Sequence, residues 1–304
     1  MVVAATGFFD GVHRGHRAVL DKVCTLAKKQ KAKSAVITFW PHPRAVLQQD
    51  AAKFRLLTTL EEKKDLLHSL GIDMVHVLTF DKEFAKQSTA QFFSKYLKGQ
   101  FDVTTLVAGY DHRVGNDVNQ TQQEMFRIAK ESGITPIRVL EFENTKDHVV
   151  ISSTKIREAL CNGNIEFASN MLGYSYGLKG VVVEGKKIGR SMGFPTANIK
   201  LYEPLKLLPA NGVYAVWVGV GTSVYKGVAN IGTRPTVSQS SEKSIEVHIL
   251  NFDEDIYGLS IKIEFAFRLR DEQKFDSLDL LEEQIKKDKE RAQSLLLSNR
   301  NELR

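Results

Sequence analysis

The segment Gly7-Phe8-Phe9-Asp10-Gly11-Val12-His13-Arg14-Gly15-His16 carries residues suited to collecting an anion. It follows the apolar run Val2-Val3-Ala4-Ala5 and opens a helical stretch over residues 17–28. A buried parallel strand, a glycine-punctuated turn and a helix N-terminus are thereby expected. The first N–H groups of such a helix have no intrahelical partner, and its dipole end is positive. Gly11 and Gly15 let backbone approach a ligand without a Cβ in the way. His13 and His16, three apart, put both imidazoles on one side of a helical first turn, as neutral or cationic donors for a polyphosphate. The alternative for so short a motif is a corner whose histidines only cap and hydrogen-bond. A second cluster, Ile151-Ser152-Ser153-Thr154-Lys155-Ile156-Arg157, starts another helix with three hydroxyls that can cap it or bind phosphate, and Arg157 adds a fork of donors on the first turn. A third runs from Gly185 to Asn198. Gly185, Gly189 and Gly193 permit close backbone approach, and Lys186, Lys187 and Arg190 favour a triphosphate. Thr196 and Asn198 share one side of an extended segment and offer oxygens of the kind Mg²⁺ accepts beside phosphate. A Gly-rich β-turn with a polar edge fits the same residues.

The elements that must position these groups fall into two rhythms. In the first half, strands at Ser34–Phe39, Met74–Leu78, Thr105–Ala108 and Thr135–Val139 alternate with helices at Glu61–Leu70, Thr89–Leu97 and Gln122–Ser132. That alternation predicts a doubly wound parallel sheet, with ligands at the carboxyl ends of its strands. Gly71, Gly99 and Gly133 sit where helices are expected to stop. Beyond Gly173 the runs Val181–Glu184, Gly212–Gly219, Ser223–Asn230, Ser244–Leu250 and Ser260–Arg268 are short, β-branched and divided by turn residues. They predict a small antiparallel β-barrel closed by one helix, Leu278–Leu297. Two domains, 1–172 and 173–304, are expected, joined near Gly173-Tyr174-Ser175-Tyr176-Gly177. The fold class is thus α/β plus β.

Composition narrows the clients. Of 304 residues 42% are hydrophobic and 26% charged, an ordinary globular balance. No apolar run approaches the roughly 20 residues that span a bilayer, so no membrane association is expected. The start Met1-Val2-Val3 has no basic n-region, and Asp10 interrupts the apolar run, so no signal peptide is expected. The two cysteines, Cys24 and Cys161, imply no disulfide framework, and a cytoplasmic location is expected. A net charge of +6 favours polyanions weakly, but no basic stripe interleaves with aromatics. Phosphorylated small molecules are the expected clients and nucleic acid is not; self-association is left open.

The His13–His16 pair resembles the signature of HIGH-type nucleotidyltransferases, which hold ATP by its phosphates and break its α–β bond. Residues 151–157 resemble the second phosphate element of FAD synthetases, and Phe39-Trp40-Pro41-His42-Pro43 resembles the F-x-P-H-P of that family. Gly109-Tyr110-Asp111-His112-Arg113 is similar to its G-x-D-F-x-F-G stretch. It departs at His112, where the family has an aromatic, and after Gly115, where Asn116-Asp117-Val118-Asn119 replace basic residues. The stretch 185–198 resembles the signature of riboflavin kinases, a closed-barrel family using MgATP. Further matches follow at Leu208-Pro209, Gly212-Val213-Tyr214, Gly227–Gly232, Arg234-Pro235-Thr236, Glu246-Val247-His248, Tyr257-Gly258 and Lys274-Phe275.

The chain as a whole resembles the bifunctional riboflavin kinase/FMN adenylyltransferases, the bacterial-type FAD synthetases. That resemblance implies phosphorylation of riboflavin by MgATP to FMN in the barrel, and adenylylation of FMN by a second ATP to FAD and pyrophosphate in the first domain. It implies Glu246 as the base for the ribityl hydroxyl, a strand carboxylate projecting into a barrel mouth. Thr196 and Asn198 are then the Mg²⁺ ligands, and Gly185, Gly189, Arg190, Gly193 and Pro195 line the kinase ATP. In the first domain it implies His13 and His16 as catalytic, with Phe8, Asp10, Gly11, Gly15, Asp111, Ser152, Ser153, Thr154 and Arg157 around ATP. Two other readings stand beside it: a nucleotidyltransferase for another phosphorylated substrate with the barrel as a specificity module, and a non-enzymatic flavin or nucleic-acid binder.

Overall fold

The computed structural model describes residues 1–47, 54–110, 112–117, 121–140, 143–144, 149–185, 189, 193–234 and 242–298. The chain divides into two compact units, Met1–Ser153 and Thr154–Arg304.

In the first unit β1 (Val2–Thr6), α1 (Arg14–Gln30), β2 (Lys33–Trp40), α2 (Pro43–Leu47), α3 (Leu60–Ser69) and β3 (Met74–Thr79) precede α4 (Thr89–Phe92), which continues as a π-helical stretch, Phe93–Gln100. β4 (Val103–Ala108), α5 (Gln122–Glu131) and β5 (Thr135–Arg138) follow, then a two-stranded ribbon of β6 (Glu143–Asn144) and β7 (Val149–Val150). The five main strands form a parallel sheet in the order β3-β2-β1-β4-β5. Alternate residues of β1 serve opposite faces. Val2 and Ala4 join a core with Phe92, Leu97 and Met125, while Val3 and Ala5 join one with Leu20, Val23 and Leu67. Both faces are covered by helices, which is why the strands read as continuous apolar runs. The strand order reverses between β1 and β4, and open sheets bind ligands at such a point, beyond the carboxyl ends.

Three expectations are refined here. Helix α1 begins at Arg14 rather than residue 17, because His13 caps it. Gly71 and Gly133 follow helix ends with φ of +86° and +72°, whereas Gly99 lies inside the π-helical stretch and stops nothing until Phe101. The ribbon β6–β7 has no counterpart in the sequence pattern.

Helix α6 (Ser153–Cys161) bridges into the second unit, where α7 (Ile165–Leu172) ends in a left-handed Gly173. The packing division falls at Ser153/Thr154, ahead of the glycine-rich junction, because α7 packs on the barrel and the Ala210 amide donates to the Leu160 carbonyl at 2.9 Å. The barrel is closed by β8 (Gly177–Val183), β9 (Ala197–Leu201), β10 (Gly212–Val220), β11 (Ser223–Arg234), β12 (Glu242–Ile249) and β13 (Ser260–Arg270), in the order β10-β11-β12-β9-β8-β13. All neighbours are antiparallel. Strand β9 adds a sixth strand to the five expected; Ala-Asn-Ile-Lys-Leu alternates apolar and polar residues, but over only five positions at the end of the Gly-rich stretch.

The Tyr214 face of the wall is interior, where its ring meets Phe265 edge-on at 5.2 Å. Val213 and Ala215 face outward onto α8 (Leu278–Ser298), packing on Ala292 and Leu296. A buried ion pair pins that helix: Arg270 Nε donates to Asp288 at 2.9 Å and Gln284 donates to the same carboxylate at 2.9 Å.

Candidate active sites

The turn after β1 is braced on several sides. Phe9 and Val12 sit at φ of +48° and +36°, conformations that cost a non-glycine residue about 1–2 kcal/mol. Tertiary contacts hold them there. The Asp10 carboxylate is buried and accepts the amides of Leu57 and Thr58, both at 3.1 Å, while Gly11 N–H donates to Thr58 Oγ1 at 3.0 Å. The Ser153 hydroxyl donates to the Asp10 carbonyl at 2.9 Å, bringing the start of α6 to this turn. Asp10 thus acts as an internal brace, its carboxylate accepting the amides that hold the turn. Lys63, on α3, donates from its ammonium to the Phe8 carbonyl at 3.0 Å and to Thr38 Oγ1 at 3.1 Å. Desolvation pushes its pKa down to about 8, with Asp10 opposing.

His13 is the N-cap of α1: its Nδ1 accepts the His16 amide at 3.3 Å, and the two imidazoles stack with centroids 3.6 Å apart. Gly15 leaves the room, since a Cβ there would lie 3.3 Å from the His13 ring. His16 Nδ1 is buried with no hydrogen-bond partner. Burial above all, then the charges of His13 and Lys63, holds its pKa well below the ordinary 6.5, so at pH 7 it is neutral. A neutral imidazole with an orphan nitrogen, at a positive helix end, is poised to meet an anion.

Aromatic rings flank the turn along the sheet's carboxyl edge. Phe8 lies 5.0 Å from His42 and 6.1 Å from Phe80, and His42 stacks on Phe54 at 4.5 Å. At the switch point Thr6 Oγ1 meets His112 Nε2 at 2.7 Å. The loop after β4 is fastened to the start of α4, where Thr89 N–H donates to Asp117 at 2.7 Å and Asn116 N–H to the Gln87 carbonyl at 3.0 Å. Asp111, Val118 and Asn119 lie outside the described residues. Ser152 precedes α6, while Thr154 and Arg157 lie on its first turn and fall in the second unit.

In the barrel, Glu246 on β12 stands directly opposite Asn198 on β9 and Asn230 on β11. Asn230 in turn pairs with the outward-facing Val213, and Ile245 and Val247 on either side of Glu246 are buried. Glu246 therefore faces outward from the barrel wall and not into the mouth, as the pleat alternates sides with every residue. Asn198 is buried and packs on Gly185, where a Cβ would lie 2.0 Å from its Nδ2. Two residues from Glu246, His248 Nδ1–H donates to the Pro195 carbonyl at 2.8 Å, and burial lowers its pKa. Gly189 accepts the Phe194 amide at 2.8 Å through its carbonyl, and Gly193 turns the chain at φ +78°. Thr196, just ahead of β9, borders a cavity of about 260 Å³ shared with Val182, Val247, Ile249 and residues 252–257. Arg190, Lys186 and Lys187 lie outside the described residues, as do Pro235 and Thr236.

Sequence reasoning missed Lys63, Thr58, Thr38, Asn230 and His248. Asn230 and His248 lie inside the quoted stretches Gly227–Gly232 and Glu246-Val247-His248, and Lys63 had a signal of its own, a lysine spaced by four and seven from Leu67 and Leu70 on the inward stripe of its helix.

The FAD synthetase family model matches residues 1–155, and the riboflavin kinase family model matches residues 172–296. The bifunctional riboflavin kinase/FMN adenylyltransferase of Bacillus subtilis is 40% identical over 293 residues, 95% of this chain and 91% of that protein. That of Escherichia coli K12 is 38% identical over 287 residues, covering 94% and 90%. A crystal structure described as a macrolide-efflux protein from Streptococcus pneumoniae superposes with a TM-score of 0.87 at 32% identity, over 96% of this chain and 93% of that one. Among the described residues of the present chain no helix is long and apolar enough to cross a membrane.

Proposed function

The chain belongs to the family of bifunctional riboflavin kinase/FMN adenylyltransferases, and on that premise we propose how its residues divide the two reactions. It is an enzyme of FAD biosynthesis with both activities, the adenylyltransferase in the N-terminal half and the kinase in the C-terminal half. The functional boundary proposed lies after residue 172, where the kinase match begins.

One observation carries the kinase assignment: Glu246 and Asn198 face each other across β12 and β9, with Gly185 seated against the Asn198 carboxamide. Glu246 accepts the proton of the flavin ribityl hydroxyl as that oxygen attacks the γ-phosphorus of ATP, giving FMN and ADP. Phosphoryl transfer asks chiefly for positioning and charge neutralisation. The donor set fits Mg²⁺, which takes one or two hard protein oxygens and completes its shell with phosphate and water. Thr196 and Asn198 would hold it, and it would neutralise charge on the phosphates. Gly185, Gly189 and Gly193 admit the nucleotide close to backbone, and the His248–Pro195 bond holds the segment ahead of β9.

In the first half, a phosphate oxygen of FMN attacks the α-phosphorus of a second ATP and pyrophosphate leaves. No covalent enzyme intermediate is required, since FMN is the nucleophile. The α1 N-terminus with Gly11, Gly15, His13 and His16 stabilises charge building on the α-phosphate and the departing pyrophosphate. Ser152, Ser153, Thr154 and Arg157 supply the second set of donors. The ring edge of Phe8, His42 and Phe54 offers a stacking surface for a planar heterocycle. This reading places the enzyme in the cytoplasm. It is tested by incubating the protein with riboflavin, ATP and Mg²⁺ and resolving flavins by chromatography. FMN followed by FAD is expected; riboflavin left unchanged, or FMN that never becomes FAD, refutes the corresponding half.

A further inference from the structure

Lys63 carries a buried charge that neither reaction above uses. Its place on α3, four residues before the fully buried Leu67, is one a hydrophobic residue would fill by default. Instead an ammonium only 5% exposed is held there by two neutral acceptors, the Phe8 carbonyl and the Thr38 hydroxyl. Thr38 is itself fully buried and donates to the same carbonyl at 3.4 Å. Taking an ammonium out of water for two uncharged partners costs more than a well-packed apolar side chain would. The helix gains nothing from it as a helix.

The turn gains twice. Phe8 is the last residue before Phe9 enters its left-handed conformation, so anchoring the Phe8 carbonyl fixes where the strained turn begins. The charge also reaches both sides of the anion site: Asp10 in the turn favours the ammonium, and His16 on α1 feels it as repulsion. His16 is the residue with the buried, unpartnered Nδ1. A bound polyphosphate would relieve that repulsion and find a cation already fixed behind the imidazoles, with no side chain to reorganise.

We infer, resting on the adenylyltransferase reading above, that Lys63 is a positioning residue for the nucleotide triphosphate, anchoring the turn through Phe8 and setting a fixed positive charge behind the His13–His16 pair. The test uses the full chain as Lys63→Met and Lys63→Arg. FAD formation from supplied FMN is followed against ATP, with riboflavin phosphorylation as the internal control. The His16 imidazole is titrated by NMR without substrate. Lys63→Met is expected to lower kcat/KM for ATP in adenylylation about 10²-fold, the scale of a site misplaced by an ångström. Riboflavin phosphorylation should be unchanged, and the His16 titration should move up only slightly and stay below its ordinary value, since burial is the larger cause. Lys63→Arg, which keeps the charge, should retain most of the activity and the low His16 titration. The inference is overturned if Lys63→Met changes adenylylation by less than about twofold, if it slows riboflavin phosphorylation equally, or if Lys63→Arg loses as much as Lys63→Met. A native chain that made FMN but no FAD would refute the adenylyltransferase reading, and the substrate-free titration would still decide the Lys63–His16 coupling.

Discussion

Gly185→Ala should disable the kinase while leaving the adenylyltransferase intact. The added Cβ would lie 2.0 Å from Asn198 Nδ2, 2.5 Å from its Cγ and 2.9 Å from Oδ1. Non-bonded heavy atoms rest about 3.5 Å apart, so the carboxamide must withdraw by roughly 1.5 Å. Asn198 has little freedom to do so, being buried in the ladder between Val183 on β8 and Glu246 on β12. Either the strand shifts, at the roughly 1–3 kcal/mol typical of overpacking, or the carboxamide swings away from its place opposite Glu246. A displacement of that size at a group that positions phosphate costs on the order of 10²-fold in turnover. The assay is riboflavin phosphorylation at varied Mg²⁺, with FMN adenylylation and thermal melting on the same sample. We expect a kinase rate lower by about 10²-fold, a raised Mg²⁺ requirement and unchanged adenylylation. Gly193→Ala, at φ +78° but with nothing within 4 Å of the new Cβ, should cost only about 1 kcal/mol of backbone strain. Equal kinase rates in Gly185→Ala and the native protein would refute the placement of Asn198 in the phosphate site.

Glu246→Gln keeps size and hydrogen bonding but removes the carboxylate proposed as the base; riboflavin phosphorylation should fall by roughly 10²–10⁴-fold with adenylylation untouched, and an unchanged rate would show another acceptor. His16→Ala should abolish FAD formation while FMN formation continues, and equal loss of both would refute separate sites. A fragment of residues 173–304 should fold and make FMN; if only a fragment from Thr154 does so, α6 and α7 belong to the kinase. Lys63 is held near pKa 8 against an ordinary 10.5, so between those values the unfolded chain keeps a proton the native one has shed. The first unit should therefore gain up to about 3 kcal/mol as pH rises from 8 to 10.5. Denaturant titrations of native protein and Lys63→Met across that range check it, and an equal rise in both would refute the assignment.

Local signals in the sequence reached far. The apolar runs of β1, β2 and β4 and the helical spacing between them predicted a parallel sheet, because a strand buried on both faces must be apolar throughout. Gly71 and Gly133 marked helix ends because only a residue free to take positive φ continues the chain there. His13 and His16 were legible as a pair because helical geometry alone puts residues three apart together. Helix α1 still began earlier than expected, since a histidine N-cap carries none of the usual Ser, Thr, Asp or Asn signal.

The candidate sites also depended on partners distant in the chain. Asp10 reads as a polar residue in an anion-binding loop until Leu57 and Thr58 arrive from 47 and 48 residues away and take its carboxylate. Thr6 and His112 meet across 106 residues because the strand order places β4 beside β1. By itself the sequence determined the order of elements, the two halves and which short motifs could bind phosphate, all set by neighbours within a turn or a strand. Only the tertiary structure decided that Glu246 faces outward opposite Asn198 and that Lys63 lies buried against the Phe8 carbonyl and Thr38. Barrel register and burial depend on which distant strands close on one another, and a period-two pattern is equally satisfied by either face until one of them is covered.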